Sequence, residues 1–173
     1  MLIEDIKKAL RIVNDMEKKG IIGRHAIGGS IGAIYWTEPF ATKDLDLFLQ
    51  LPVSREGGIL LMPFFGYLIK RGYNVSGQYI QIGELMVDFI GVYNPLTEEA
   101  LDQSIEVSVY GIDTHVLRPE YLLAIALQTG RLQDLRKVEK LYQESDLDEE
   151  YLDSIINRHN LVRKWNGFKK KYL

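Results

Sequence analysis

The chain of 173 residues contains no cysteine, which excludes disulfide staples and thiolate metal sites and makes the cytoplasm the simplest expected compartment. It also lacks a long apolar run. The longest uncharged stretch, GGILLMPFFGYLI at 57 to 69, falls short of the roughly 18 residues that a membrane span requires, and Pro63 interrupts it. A buried helix is expected there, and no membrane association. The opening segment, MLIEDIKKALRIVNDMEKKG, has acids and lysines spread through it, so it lacks the uninterrupted apolar region of a signal peptide. Internal repeats and low-complexity segments are absent too. Histidine is scarce: His25, His115 and His159 are scattered without ligand spacing and read as structural residues.

What is present is enough for one core. With 46% hydrophobic residues, a chain of this length can bury a single core with a small appended lobe. Charge is uneven. From Arg158 to the end there are six basic residues and no acid, which leaves 15 basic against 24 acidic residues over 1 to 157. The body is therefore about −9 and the tail +6.

Hydrophobic periodicity predicts an amphipathic helix over residues 2 to 19, through Ile3, Ile6, Leu10, Val13 and Met16, ended by Gly20. A short strand, His25 to Ile27, precedes two glycines and a helix through Trp36. A strand from Leu45 stops before Pro52, and a helix covers 59 to 71. Tyr79 to Ile82 and Leu85 to Val92 read as a hairpin about Gly83 and Glu84. Thr97 opens a short helix, and 105 to 117 reads as two short strands about Gly111. From Pro119 onward the pattern is helical, with Asp146 and Glu149 in capping-box spacing. The expected class is α/β (α+β): a small mixed β-sheet flanked by helices over residues 1 to 118, then a C-terminal helical subdomain over 119 to 173.

Two short words concentrate the chemistry. GRHAIGGS, residues 23 to 30, differs from the P-loop pattern at one position, but Gly29 stands where the phosphate-binding lysine must be. A dinucleotide fingerprint starting at Gly28 fails at Ser30 and Ala33. A strand, a GGS turn and a helix N-terminus remain, which is either a small anion site made of free N–H groups or simply a tight turn with Ser30 as a cap. The second word is DLD. On a strand Asp44 and Asp46 share one face, about 6.6 Å apart at ~3.3 Å per residue. Carboxylates so placed can hold one divalent ion or share a metal pair, unless the strand merely has a solvated face. Aspartate is a poor strand former. A third acid, Asp88, interrupts the otherwise apolar run LMVDFIGV, and a buried charge there requires a partner or a metal.

The string IGGS, a short helix, TKDLDLFL and a later strand aspartate together resemble the nucleotidyltransferase superfamily, which has the DNA polymerase beta-like fold and includes the aminoglycoside nucleotidyltransferases and the small abortive-infection toxin-like enzymes. The resemblance covers roughly residues 3 to 92. It implies that Gly28, Gly29, Ser30 and Lys43 hold the nucleotide phosphates and that Asp44, Asp46 and Asp88 are the catalytic and metal-binding acids. It implies Mg²⁺ or Mn²⁺ as cofactor, a nucleoside triphosphate such as ATP as co-substrate, and transfer of a nucleoside monophosphate to a hydroxyl of tRNA or another RNA, a protein or a small molecule. A toxin with a protein antitoxin as partner fits the same resemblance. RPEYLLAIALQTGRLQDLRKV is similar to a helical segment of the toxin-like members, with Arg131 and Asp134 as weaker substrate-site matches; an i, i+3 ion pair is the alternative. Relatives carry a lysine ahead of that arginine and an acid three residues past the aspartate. Here 121 to 130 has no lysine and Lys137 replaces the acid, so a degenerate member that binds nucleotide, RNA or a protein without turnover is the other expectation.

Overall fold

The computed structural model describes residues 2 to 173. Eight helices and seven strands alternate in the order α1 (Leu2–Lys18), β1 (His25–Ile27), α2 (Gly29–Trp36), β2 (Asp44–Leu49), α3 (Met62–Lys70), β3 (Val75–Ser76), β4 (Tyr79–Ile82), β5 (Leu85–Gly91), α4 (Pro95–Asp102), β6 (Ile105–Val109), β7 (Ile112–Val116), α5 (Pro119–Thr129), α6 (Leu132–Glu144), α7 (Glu149–Arg158) and α8 (Val162–Tyr172). The strands form one mixed sheet in the order β3-β4-β5-β2-β1-β7-β6. β2 lies at its centre, antiparallel to β1 and parallel to β5. The class is the α/β one expected, and no helix among the described residues is long and apolar enough to cross a membrane.

Strand alternation sorts the side chains of β2 and β5 between two cores. Leu45, Leu47, Leu49, Leu85, Val87 and Phe89 face α1 and α3, where Leu10, Val13, Met16 and Leu68 complete the first core. Phe48 and Ala26 face the other way, into a second core shared with α4 and the C-terminal helices through Leu96, Tyr121, Leu122, Leu127 and Trp165. The helical segment after Arg118, the N-cap residue of α5, thus closes over one face of the sheet. Asp44 and Asp46 belong to that second face, two and one alternations before Phe48. Under the helices the face is apolar; where the helical cover ends it is acidic.

Several local expectations shift. The buried helix expected over 57 to 69 forms only in its second part, as α3, where Phe64, Tyr67 and Leu68 are buried. Ile59 pairs with Val53 in an isolated antiparallel bridge, and α3 begins at Met62 because Pro63, lacking an N–H, suits a first helical turn. The apolar residues Ile59 to Met62 are exposed, Met62 to 80%. The cap of α7 is Asp148 rather than Asp146: its side chain accepts from Tyr151 N–H at 2.9 Å, and its own N–H donates to buried Glu120 at 2.9 Å. The two-residue strand β3 carries too little pattern to be seen in sequence. The histidines are held structurally: His25 by Glu17 and Thr114, and His159 by Glu99 at 2.7 Å.

Candidate active site

β1 ends at Ile27 and the chain turns through Gly28 and Gly29 into α2. Both glycines are required by close approach. A Cβ on Gly28 would lie 2.3 Å from the Phe48 ring, and one on Gly29 would lie 1.4 Å from Asp46 Oδ2. Gly29 also has φ +53, in the left-handed region that L side chains avoid. The turn is stitched to β2, with Gly28 N–H donating to Asp46 O at 2.9 Å and Gly32 N–H closing the first helical bond on Gly28 O at 2.7 Å. The Ser30 N–H is near enough to the Asp46 carboxylate to favour its charged form. The two words singled out in the sequence are therefore in direct contact, with the Asp46 carboxylate set against the turn that opens α2.

The parallel register of β2 with β5 sets Asp46 beside Asp88 and Asp44 beside Met86, so all three aspartates project from one face at one end of adjacent strands. Burial raises the proton affinity of the Asp46 carboxyl above the usual aspartate range. The charge of Asp44 adds to this, while Lys137, the Ser30 N–H and Arg131 oppose it. Asp88 is raised as well, first by burial and then by the charges of Asp46 and Asp44, against a hydrogen bond from Gln78 to its Oδ1 at 2.6 Å. The partner expected for Asp88 is thus Gln78. Among the described residues no three His, Asp or Glu side chains converge as a ready-made metal cage; Asp46 is turned to the GGS turn and Asp88 to Gln78. The donor chemistry nonetheless fits a hard divalent cation, since carboxylate oxygens on neighbouring strand positions repel one another and are the ligands such an ion takes.

A cleft of about 940 Å³ opens at Asp44, lined by Ser30, Thr42, Lys43, Arg136 and Lys137 among others. One wall is acidic and belongs to β2. The facing wall is basic and belongs to α6, where Arg136, Lys137 and Lys140 recur on one helical face, and Lys140 also lies over the Phe40 ring, 5.7 Å from its centroid. Arg131 and Asp134 form an i, i+3 pair at 2.7 Å at the start of α6, with the Asp134 side chain only 4% exposed, and Lys137 reaches the same carboxylate at 3.7 Å. Arg131 is also close enough to Asp46 for their charges to interact. Arg131 and Asp134 are thus an ion pair at the start of α6.

No protein-family model matches the sequence, and no curated protein sequence does. Solved structures do match. The antigenic nucleotidyltransferase-like protein from Paracoccidioides brasiliensis aligns with 96% of this chain and 91% of its own at a TM-score of 0.56 and 14% identity. The antibiotic-resistance factor ANT(2″)-Ia aligns in its solution structure with 95% of this chain and 96% of its own, at a TM-score of 0.55 and 11% identity. Its crystal structure in complex with adenylyl-2″-tobramycin gives 94% and 95% coverage, 0.53 and 13%. The fold is that of a nucleotidyltransferase. The match spans nearly the whole chain, so the nucleotidyltransferase fold here takes in the helices after Arg118 as well as the sheet.

The basic wall was missed in the sequence. Arg136, Lys137 and Lys140 are three and four residues apart, which is the spacing of one helical face, but nothing in the sequence says which way that face points. Only the packing of α6 beside α2 turns it toward Asp44. Lys137, noted in the sequence for standing where relatives have an acid, becomes a cation placed between two carboxylates.

Proposed function

We propose that the chain is a divalent-metal-dependent nucleotidyltransferase that moves a nucleoside monophosphate from a nucleoside triphosphate to an acceptor hydroxyl. The observation that carries this reading is the β2–β5 register, which sets Asp46 against Asp88 directly beneath the GGS turn. Mg²⁺ or Mn²⁺ held by Asp44, Asp46 and Asp88 would supply neutralisation of the phosphate charge and of the departing pyrophosphate. The remaining work falls to the chain's own groups. Gly29 and Ser30 present backbone N–H groups at the positive end of α2, and Lys43, Arg136, Lys137 and Lys140 face them across the cleft, a cradle for three phosphates. Asp88, whose carboxylate is made more basic by burial, takes the proton of the acceptor hydroxyl. The hydroxyl oxygen forms a bond to the α-phosphorus, the bond from that phosphorus to the bridging oxygen breaks, and pyrophosphate leaves. The ANT(2″)-Ia complex with adenylyl-2″-tobramycin supports the same class of reaction, a hydroxyl acceptor carrying a nucleotidyl group.

The second reading, binding without turnover, draws on Lys137 in place of an acid and on Asp46 and Asp88 being turned to the GGS turn and to Gln78. Pyrophosphate release separates the two. Release from at least one triphosphate in the presence of Mg²⁺ and a cell extract, abolished in Asp44→Asn, is the expected result. Mg²⁺-dependent triphosphate binding with no release under any condition would establish the binding-only reading instead.

A further inference from the structure

The basic C-terminal helix is not used by the site as described, yet it is physically joined to it. Leu161, Trp165 and Phe168 are buried and Phe168 stacks on Tyr172 with centroids 4.9 Å apart, so α8 is anchored to the second core by its aromatic side. Its other side carries Arg163, Lys164, Lys169, Lys170 and Lys171, all exposed. None of these five is paired with a carboxylate among the described residues, in contrast to Arg158 on α7, which is held by Glu99. Five exposed cations without acidic partners are a concentrated positive field on a body that is otherwise net acidic.

The face leads to the cleft. Lys164 Nζ donates to Gln128 O and lies 4.0 Å from the position a Cβ on Gly130 would take. Gly130 is followed directly by Arg131, whose charge is felt by Asp46. A groove of about 330 Å³ runs between α8 and the α5–α6 turn, with Thr129, Gly130, Lys164 and Lys171 along it. Lys171 and Lys164 line this groove, Gly130 on its far side leads into Arg131, and Arg131 and Lys137, which share the Asp134 carboxylate, make a basic line from α8 toward Asp46, whose charge both stabilise.

We propose that this line is a docking track for single-stranded RNA, which lies along α8 by its phosphates and delivers its terminal hydroxyl to the cleft as the acceptor. The delivery rests on the nucleotidyltransferase reading; the docking does not. A small-molecule acceptor would fit within the cleft and have no use for cations on α8. A protein partner would need apolar or aromatic anchors, and the aromatic residues of α8 are turned into the core. A phosphate polymer needs only spaced cations and uses no anchor.

The test measures binding of a fluorescent single-stranded RNA of mixed sequence to the full chain by anisotropy, between about 50 and 200 mM salt. Replacing Lys169, Lys170 and Lys171 with Gln should flatten the log–log salt slope by up to about 2 units, at about 0.7 per single-strand phosphate contact, so that the variant loses roughly 20-fold less affinity than the wild type across that range. Replacing Lys8, Lys18 and Lys70, equally exposed but remote in sequence, should leave the slope unchanged. If the triple change disturbs folding, Arg163→Gln with Lys164→Gln tests the other end of the face, with an expected loss of about 1.4 units. An unchanged slope in the tail variants, an equal loss in the Lys8, Lys18 and Lys70 control, or displacement of RNA by polyglutamate as readily as by unlabelled RNA would overturn the proposal; the last outcome would assign the face to an acidic protein. Tail-dependent RNA binding by a protein that releases no pyrophosphate would uphold the track and refute the transferase reading.

Discussion

Gly29→Ala tests the contact between the two words of the site. The substitution places a Cβ 1.4 Å from Asp46 Oδ2 and 2.4 Å from Asp46 Cγ, distances at which the carboxylate must move. The residue must also hold φ near +53, which costs an L residue about 1–2 kcal/mol, and driving Asp46 off its rotamer adds about 0.5–1.5 kcal/mol. The sum is roughly 1.5–3.5 kcal/mol, or a fall in Tm of about 3–14 °C for a domain of this size. Activity should suffer more than stability, because displacement of a catalytic group by about 1 Å can cost roughly 100-fold. The assays are thermal unfolding without metal and pyrophosphate release. In an Asp46→Ala background the two shortest overlaps disappear and only the Cβ approach at 2.7 Å remains, so Gly29→Ala should cost less there by roughly the carboxylate's rotamer strain, a coupling of about 1 kcal/mol. Equal destabilisation in both backgrounds, or a Gly29→Ala protein with wild-type Tm and turnover, would refute the reasoning.

Asp46→Asn should abolish transfer while leaving metal-free unfolding unchanged or raising its temperature, since burial and Asp44 disfavour the charge in the folded state. The sign follows from linkage: a carboxyl with raised proton affinity in the folded state binds more protons folded than unfolded, so metal-free stability falls as pH rises from the ordinary aspartate range through the raised folded value. Asp46→Asn should remove part of that fall, measurable as a flatter profile of Tm against pH. Asp88→Asn should lower kcat far more than it weakens triphosphate binding, because the proton it accepts moves only in the transition state; equal losses in single-turnover rate and in Kd would make it a ground-state ligand. Lys137→Met should weaken triphosphate binding about tenfold or more by calorimetry, in line with the loss of one charge-assisted hydrogen bond, and an unchanged Kd would remove Lys137 from the cradle.

Much of the sheet could be read from the sequence because its signals are local. Asp44, Leu45, Asp46 and Leu47 alternate with period two, and Gly83 marks the β4–β5 turn, so the acids could be put on strands and their shared face inferred. Their meeting could not be read, since Asp46 and Asp88 are brought side by side by a parallel pairing that spans three intervening elements. The run from Ile59 to Met62 misled because apolar composition alone does not distinguish a buried helix from an exposed bridge; Pro63 was the clue to the true helix start. At α7 the capping-box spacing pointed to Asp146, whereas the cap is Asp148, whose N–H is held by Glu120, distant in sequence. The basic wall on α6 depended in the same way on tertiary packing. Contacts within a turn or a strand pair were legible; those that assemble the cleft from both halves of the chain were not.

The central claim is most directly tested by parallel incubations with Mg²⁺, a cell extract, and a nucleoside triphosphate labelled either at the α-phosphate or at the γ-phosphate. The structure predicts that the α-label becomes attached to an acceptor while the γ-label leaves as pyrophosphate, and that Asp44→Asn does neither. Attachment of the γ-label would make the chain a phosphoryl rather than a nucleotidyl transferase, and attachment of the α-label by the Asp44→Asn protein would contradict the assignment of the acids.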